Sequence, residues 1–395
     1  MNNNNTKPFY NGEIPEDWEV KPVGEAFEIL NNLRLPISEE ERNKVKGIYP
    51  YYGPTKIQDY IKEYRLDGKY ALIGEDGDHF LKWKEQQMTL LVEGKFNVNN
   101  HAHIIQGTNN LTDWFFYFFN HRELTPHLTR QGAGRYKLTK DALSKILIPL
   151  PPLPEQRAIA QVLSTWDSAI SKTQALIVQK ERRKKWLMQN LLTGKKRLPA
   201  FAKASAGKEG VEEAWEEVKL ADFTKKVKGK VFEVSGNNTG LPCITASSFN
   251  GKYTDFTNSS DAVKCGANDV LVLWDGENAG AITTGHKGVV GSTVAKLVLK
   301  KGLNNFFIAY HMYFFNGRLR GIREGSGIPH MPGDFEDWYR FYCPPLEEQT
   351  AIAQVLQAAD KEIQLLKTKT ERLREQKKGL MQVLLTGKKR LKIDQ

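Results

Sequence analysis

The sequence predicts an α+β protein with an internal pseudo-twofold repeat, in which two mixed α/β domains alternate with two long antiparallel coiled-coil helices. Three observations support this prediction: a segment duplicated at a spacing of 193 residues, heptad spacing of apolar residues inside it, and β-rich stretches between the copies. The chain has 395 residues, which suffices for two or three domains of ordinary size.

The duplicated segment covers residues 152–198 and 345–391, which align without a gap. Of its 47 positions, 25 are identical. Both copies open with Pro-x-x-Glu-Gln-x-x-Ile-Ala and end with Leu-Leu-Thr-Gly-Lys-Lys-Arg-Leu. This period is far too long for a solenoid, so the sequence indicates a whole domain plus a connector, used twice.

Each copy is predicted to form one long helix. Apolar residues are separated alternately by four and three positions, as between Ile159 and Ile170, which is the spacing of a coiled-coil seam. Polar Thr173, Lys180 and Lys184 interrupt the first seam. A helix of about 37 residues spans roughly 55 Å, so we expect the two helices to pair with each other. The alternative is that both are packing elements of a globular core.

The two segments outside the repeat share an outline. Each opens with Trp-Glu, at Trp18 and Trp215, and each contains an apolar strand that leads into a turn. The Gly-x-Gly turns at 132–134 and 325–327 again lie 193 residues apart. The predicted limits are a first domain at 1–151, a central helix at 152–198, a flexible linker at 199–210, a second domain at 211–344 and a distal helix at 345–395.

Charge is concentrated on the predicted helices. Residues 172–197 contain nine Lys or Arg and one acidic residue, and residues 361–390 contain ten Lys or Arg and three acidic residues. The whole chain has a net charge of +11, so the globular segments are close to neutral. A basic helix pair favours an anionic or protein partner, although a solvated face is the simpler interpretation.

The cysteines and the N-terminal residues bear on the compartment. Cys243, Cys265 and Cys343 are far apart and form no Cys-x-x-Cys pair, which argues against disulfides and fits a reducing cytoplasm. The chain lacks a window of about 18 apolar residues, and its Asn-rich start is unlike a secretory signal. We therefore expect a cytoplasmic protein that does not contact membranes.

Motifs for catalysis are sparse. The sequence contains no Asn-Pro-Pro-Tyr motif, no third glycine for a nucleotide loop and no phosphate-binding Gly-Lys-Ser/Thr loop. Glu93-Gly94-Lys95, with Asp76 and Asp78 upstream, has the spacing of metal-dependent nucleases, but the second half has no equivalent. His101 and His103 could bind a metal, but no third ligand is evident nearby. We predict that the chain is not an enzyme and holds no metal.

The repeat resembles the specificity subunits of type I restriction–modification systems, and the resemblance covers nearly the whole chain. Its strongest marks are the two Pro-x-x-Glu-Gln openings and the two Leu-Leu-Thr-Gly-Lys-Lys-Arg endings. Supporting marks are Ile14-Pro15-Glu16-Asp17-Trp18, Pro50-Tyr51-Tyr52-Gly53, Gly74-Glu75-Asp76-Gly77, Asn99-Asn100-His101-Ala102-His103 and Gly325-Ser326-Gly327-Ile328-Pro329-His330. The second half lacks the Ile-Pro entry of the first.

The resemblance implies a function in DNA recognition. Two target-recognition domains would each read one half of a bipartite site on double-stranded DNA, and the helices would dock two methyltransferase subunits and, indirectly, restriction subunits. S-adenosylmethionine, ATP and Mg²⁺ would be cofactors of those partners and not of this chain. The alternatives are an orphan or variant specificity subunit that serves methylation only, and a coiled-coil scaffold with no role on DNA.

Base reading requires hydrogen-bonding side chains on loops. The candidates are Tyr51, Tyr52, Lys56, Asn99, Asn100, Arg130, Gln131, Arg135 and Lys137 in the first domain, and Thr245, Ser247, Ser248, Asn278, Arg323, Ser326 and His330 in the second. The helix ends are nearly identical in the two copies, so Leu187, Leu191, Leu380 and Leu384 are the candidates for contact with partner subunits.

Overall fold

A computed structural model of the chain describes residues 5–131, 135–206, 215–231, 233–235, 239–325 and 327–391. The chain divides into two compact units. The first comprises residues 1–173 together with 369–395, and the second comprises residues 174–368. No helix in the described ranges is both long and apolar enough to cross a membrane.

The first unit is built around a mixed sheet. Its strands are β1 (Thr6–Phe9), β2 (Gly12–Pro15), β3 (Glu19–Pro22), β4 (Glu28–Ile29), β5 (Lys46–Tyr52), β6 (Ile57–Ile61), β7 (Leu66–Gly74), β8 (Thr89–Val98), β9 (Ala102–Gln106), β10 (Thr129–Gln131), β11 (Arg135–Lys137) and β12 (Leu147–Leu150). Its helices are α1 (Val23–Ala26), α2 (Glu39–Lys44), α3 (Thr112–Phe119), α4 (Lys140–Lys145) and the start of α5 (Leu153–Leu191).

Six strands form the main sheet of the first unit, in the order β4-β9-β7-β8-β5-β6. β5 and β8 are parallel, and the other neighbours are antiparallel. Side chains alternate along β7, so Ala71 and Ile73 pack in the core that contains the aromatic helix α3. Tyr70 and Leu72 face a second apolar cluster on the other side of the sheet.

The second unit repeats this plan with shorter strands. Its elements are α6 (Pro199–Ala206), β13 (Glu216–Lys219), α7 (Leu220–Phe223), β14 (Thr224–Lys228), β15 (Leu241–Ile244), β16 (Phe256–Thr257), β17 (Lys264–Cys265), β18 (Val270–Leu273), β19 (Ile282–Thr283), β20 (Gly288–Val290), β21 (Val294–Leu299), α8 (Asn305–Phe314), α9 (Asn316–Gly321), α10 (Phe335–Trp338), β22 (Arg340–Cys343) and the start of α11 (Leu346–Leu384).

Two four-stranded sheets, β14-β21-β18-β19 and β16-β15-β20-β17, form the body of the second unit. Successive side chains of β18 face opposite sides of the sheet, as those of β7 do. Val270 and Val272 pack in the core that contains α8, and Leu271 and Leu273 pack in a separate cluster. The prediction of two mixed α/β domains is therefore confirmed.

The two predicted long helices are confirmed as α5 and α11, with 39 residues each. In the first unit the start of α5 packs against the end of α11, since Ile159 and Leu384 share one core. In the second unit the end of α5 packs against the start of α11, since Leu191 and Ile352 share the other core. The helices are therefore antiparallel within each unit, as predicted.

The two lysines that interrupt the helical seam of α5 are satisfied by ion pairs, and the Thr173 hydroxyl donates to the Ala169 carbonyl. Lys184 Nζ lies 2.5 Å from Asp360, and Lys180 Nζ lies 2.5 Å from Glu362, both within the second unit. The matching pair in the first unit joins Lys377 to Asp167 at 2.5 Å. A charge at a seam position is tolerated when the facing helix supplies its partner.

The identical residues of the repeat attach each domain to its helices. Glu155 is 1% exposed and accepts hydrogen bonds from Arg390 and from the Trp18 indole. In the second unit Glu348, which is fully buried, accepts the same bonds from Arg197 and Trp215. We call these two sets of residues the clamps. The glutamine that follows each glutamate bonds to the backbone ahead of its helix, at Pro151 and Pro344.

The segment predicted as a flexible linker is only partly described. Pro199–Ala206 forms the short helix α6, whereas a flexible chain was expected. The helix is explained by the alanine content of this stretch, because alanine has the highest helix propensity. Residues 207–214, which include the predicted start of the second domain, lie outside the described residues. The predicted domain limits therefore stay predictions.

Candidate nucleic-acid interface

A turn and a hairpin are joined in the same way in both units. In the first, the Gly77 amide donates to the Tyr136 carbonyl at 3.1 Å. In the second, the Gly276 amide donates to the Pro329 carbonyl at 2.9 Å. Both glycines have positive φ, 128° and 108°, so a side chain at either position would be strained. Tyr136 and Pro329 are 193 residues apart, so the repeat extends to the hairpin side of this joint, whereas the two glycines are 199 residues apart.

Further loops of the first unit are joined to this turn. The Gly53 amide donates to the Lys56 carbonyl in the β5–β6 turn, and Asn99 donates through its side chain to Gln58 at 3.0 Å. The Glu75 amide then donates to the His101 carbonyl at 2.8 Å. The loops that carry Lys56, Asn100 and Arg130 thus form one continuous surface, and these three side chains are exposed.

Glu75 lies beneath this surface and binds two cations. Its carboxylate is 2.6 Å from Arg34 and 3.2 Å from Lys137. Burial raises the pKa of Glu75, but the charge and hydrogen bonds of Arg34 outweigh this effect, so the pKa lies below its usual value. Glu75 is therefore ionised at neutral pH, and Lys137 is held at the base of the hairpin.

His103 completes the buried network in the first unit. Its Nε2 is 2.7 Å from the Leu138 carbonyl and must donate, so Nδ1 accepts from Arg34 and Asn31, each at 2.9 Å. Burial lowers the pKa of His103 to about 4. The imidazole is therefore neutral and acts as a structural residue.

The second unit presents hydroxyl groups on the corresponding surface. The hydroxyls of Thr245 and Ser247 are 2.9 Å apart, and both side chains line a groove of about 440 Å³ together with Thr293. The Thr293 carbonyl accepts the amides of Trp274 and Asp275. The groove is thereby continuous with the joined turn and hairpin.

The remaining candidates of the second unit surround this turn. Asn278 is exposed in the turn itself. Arg323 is partly buried and donates to the carbonyls of Glu277 and Arg320, which fixes its guanidinium against the turn. His330 pairs through its backbone with Glu324 across the hairpin, and its Nε2 is 3.6 Å from the Glu324 carboxylate.

Some candidates lie in the interior. Tyr51 is 1% exposed, and its hydroxyl donates to the Leu35 carbonyl, because alternation along β5 turns it inward. Asn99 is 4% exposed, and Ser248, which is fully buried, bonds to the Cys243 carbonyl. Tyr52 is partly buried against Phe96. Tyr51, Asn99 and Ser248 therefore stabilise the loops and are not part of the exposed surface.

Three further candidates cannot be placed. The side chains of Gln131 and Arg135 and the whole of Ser326 lie outside the described residues. Arg130 is described: its guanidinium donates to the Tyr136 hydroxyl at 2.9 Å and lies 5.2 Å from that ring. The first hairpin therefore presents at least one arginine, the residue type that suits guanine.

Sequence reasoning missed Arg34 and Glu75, which lie beneath the surface of the first unit, and Thr293, which lines the groove of the second. Arg34 had a recognisable signal, because it is a charged residue inside the apolar run Leu33-Arg34-Leu35-Pro36. Thr293 follows Gly291-Ser292 in a hydroxyl-rich turn. Nothing in the sequence pairs Thr293 with Thr245, since their strands meet only in the folded sheet.

The carboxylates considered for nuclease chemistry, Glu93 and Asp76, are not brought together. Glu93 pairs with Lys69 in the sheet, whereas Asp76 follows the other end of β7, about 23 Å further along at 3.3 Å per residue. His101 is paired with Asp76 at 2.9 Å. Within the described ranges, no group of three or more His, Cys, Asp or Glu is arranged to hold a metal ion.

The leucines proposed for partner contact pack inside the units. Leu191 is 4% exposed and Leu384 is fully buried, each in the core of its unit. Leu187 and Leu380 are partly buried against the same cores. Their identity in the two copies is explained by packing within the chain, because each copy meets an equivalent domain.

Comparison with known proteins supports a duplicated recognition architecture. A family model described as the type I restriction modification DNA specificity domain matches twice, at residues 15–179 and 212–375. The chain therefore belongs to the family of type I restriction–modification specificity subunits, which are non-catalytic DNA-recognition subunits.

Individual relatives are similar over most of their length. A putative type I restriction enzyme MjaX specificity subunit from Methanocaldococcus jannaschii is 26% identical, covering 96% of each chain. A putative specificity subunit, S.HindORF215P from Haemophilus influenzae, is 27% identical, covering 86% of each. The fold is similar to the crystal structure of a type I S subunit from M. genitalium, with a TM-score of 0.67, 15% identity and coverage of 96% and 98%.

Proposed function

We propose that each unit reads one half of a bipartite site on double-stranded DNA. The observation that carries this proposal is the joint of turn and hairpin, which is made by the same kind of backbone hydrogen bond in both units while the side chains presented around it differ. The first surface presents Lys56, Asn100 and Arg130, and the second presents Thr245, Ser247 and Asn278. An equivalent frame with different donors and acceptors should read a different short sequence.

We also propose that the helices dock two methyltransferase subunits in the full complex. Restriction subunits join this complex in systems that cleave DNA. S-adenosylmethionine, ATP and Mg²⁺ would be bound by those partner subunits and not by this chain. The candidates for docking are exposed apolar side chains on α5 and α11, all within the second unit, in place of the buried leucines. They are Leu176, Val178, Trp186 and Leu365, which are 37%, 47%, 48% and 62% exposed.

The experiment for bipartite reading is a domain exchange. Residues 216–343 are replaced by the matching segment of a relative, and methylation is mapped across the genome of cells that carry the complete system. We expect one half-site to change and the other to remain. A contiguous motif in the wild type, or a change in both halves after the exchange, contradicts the proposal. The reciprocal exchange of residues 15–150 is the matched control.

A further inference from the structure

Arg34 bonds to three separate segments beneath the reading surface of the first unit. Its guanidinium is 2.6 Å from the Glu75 carboxylate, 3.2 Å from the Asn100 carbonyl and 2.9 Å from His103 Nδ1. The Arg34 side chain is only 13% exposed, and that of Glu75 is 14% exposed. The ion pair is therefore largely shielded from solvent, where it is stronger than a surface pair.

Each of the three segments leads to exposed candidate side chains. Asn100 is itself exposed in the loop between β8 and β9. Glu75 begins the turn whose Gly77 holds the hairpin, and Glu75 also binds Lys137 at the base of that hairpin. His103 bonds to the Leu138 carbonyl, directly after the hairpin. Arg34 is thus the side chain that links the loop, the turn and the hairpin.

We propose that Arg34 is a positioning residue for base recognition by the first unit. It is too buried to contact a base, and it acts by fixing the loop, the turn and the hairpin relative to one another. An arginine suits this task because its planar guanidinium offers five donors in a fixed geometry, whereas a lysine offers one flexible ammonium group. This inference rests on the proposed function, because it concerns how one of the two half-sites is read.

The second unit holds its corresponding turn differently. There Lys228 Nζ is 3.0 Å from Asp275, and its side chain is 46% exposed. A change at Arg34 should therefore disturb the reading of one half-site only. The other half-site becomes an internal reference in the same molecule.

The test is Arg34→Lys in the full chain, expressed with its native partner subunits, followed by genome-wide methylation mapping. We expect bases of the first half-site to lose about tenfold in discrimination, the order of one good base contact. The second half-site should stay as in the wild type. The thermal midpoint of the purified variant reports whether the fold is retained.

Arg42→Lys is the matched control. Arg42 is 15% exposed and bonds to Asp59 and to the Ile37 carbonyl, so it is equally buried and paired but does not bond to the loop, the turn or the hairpin. We expect this control to preserve both half-sites. If Arg34→Lys does not fold, Glu75→Gln, which weakens the same links, replaces it.

The outcomes separate this inference from the proposed function. Unchanged reading by Arg34→Lys, or equal losses in both half-sites, overturns the positioning role while bipartite reading stands. Equal losses in Arg34→Lys and Arg42→Lys also overturn it, since they indicate general destabilisation. A wild type that reads one contiguous sequence refutes the proposed function itself.

Discussion

His311 shows how deeply a polar residue is enclosed in the second unit. It is 3% exposed among aromatic rings, and its Nδ1 is 2.8 Å from the Tyr339 hydroxyl. Burial, with a smaller effect from the charge of Arg318, lowers the pKa of His311 from 6.5 to about 3. The folded protein therefore keeps this imidazole neutral at a pH where the unfolded chain binds a proton.

This pKa shift predicts how stability depends on pH. The unfolded chain protonates as the pH falls through 6.5, while the folded chain does not until about pH 3, so the free energy of unfolding should fall over that range. The slope from one such histidine is about 1.4 kcal/mol per pH unit below the unfolded pKa. Urea unfolding at pH 7.5 and 5.5 measures this change in the free energy of unfolding. His311→Gln should reduce its slope against pH. An equal slope in the variant would contradict the assignment.

Single residues also show where sequence reasoning was limited. Polar residues in turn-like sequence suggested Tyr51, Asn99 and Ser248 as base-reading residues, but all three lie in the interior. Ser248 bonds to the nearby Cys243 carbonyl. Tyr51 and Asn99 instead bond to residues that are 16 and 41 positions away. Local sequence does not reveal such distant partners. By contrast, the buried Glu155 and Glu348 could be singled out, because the repeat preserves them at matching positions.

At the level of elements, the long helices were the most predictable part of the fold. Heptad spacing predicted both, because burial of a seam requires apolar residues at every third or fourth position. The strand pairing within each domain could not be predicted. β5 and β8, for instance, are parallel through residues 51–52 and 97–98, and a pairing so distant in sequence leaves no local pattern.

The helices also permit a test of the proposed docking surface. Replacing Trp186 and Leu365 with alanine removes apolar side chains that are 48% and 62% exposed, so folding should be retained. We expect weaker co-purification with a methyltransferase subunit, because exposed apolar patches mark interaction sites. Leu153→Ala and Leu346→Ala, with exposures of 36% and 48%, are matched controls at the helix starts. Unchanged co-purification would place the interface elsewhere.

At the level of the whole molecule, both long helices belong to both units. The boundary between the units falls after Thr173 in α5 and after Thr368 in α11. The chain therefore passes from one unit to the other within a helix at both crossings. Under the proposed function, the length of these helices should set the number of unread base pairs between the half-sites.

A paired insertion tests this dependence. Seven residues with heptad spacing are added at each boundary, one insertion after Thr173 and one after Thr368, which keeps the seam in phase. The added length is about 10.5 Å, or roughly three base pairs at 3.4 Å each. Methylation mapping should show both half-sites unchanged with a longer gap. A wild-type gap in the variant would refute the role of helix length.

The division of the chain also has a consequence for synthesis on the ribosome. The second unit is continuous in sequence, so it can fold as soon as residues 174–368 have emerged. The first unit is interrupted, because its clamp joins Glu155 to Arg390, 235 residues later. The residues before position 174 must therefore wait for those after position 368, because Leu163 and Leu384 share one core that stays incomplete until then. During that interval, the N-terminal domain exposes apolar surface that a chaperone could protect.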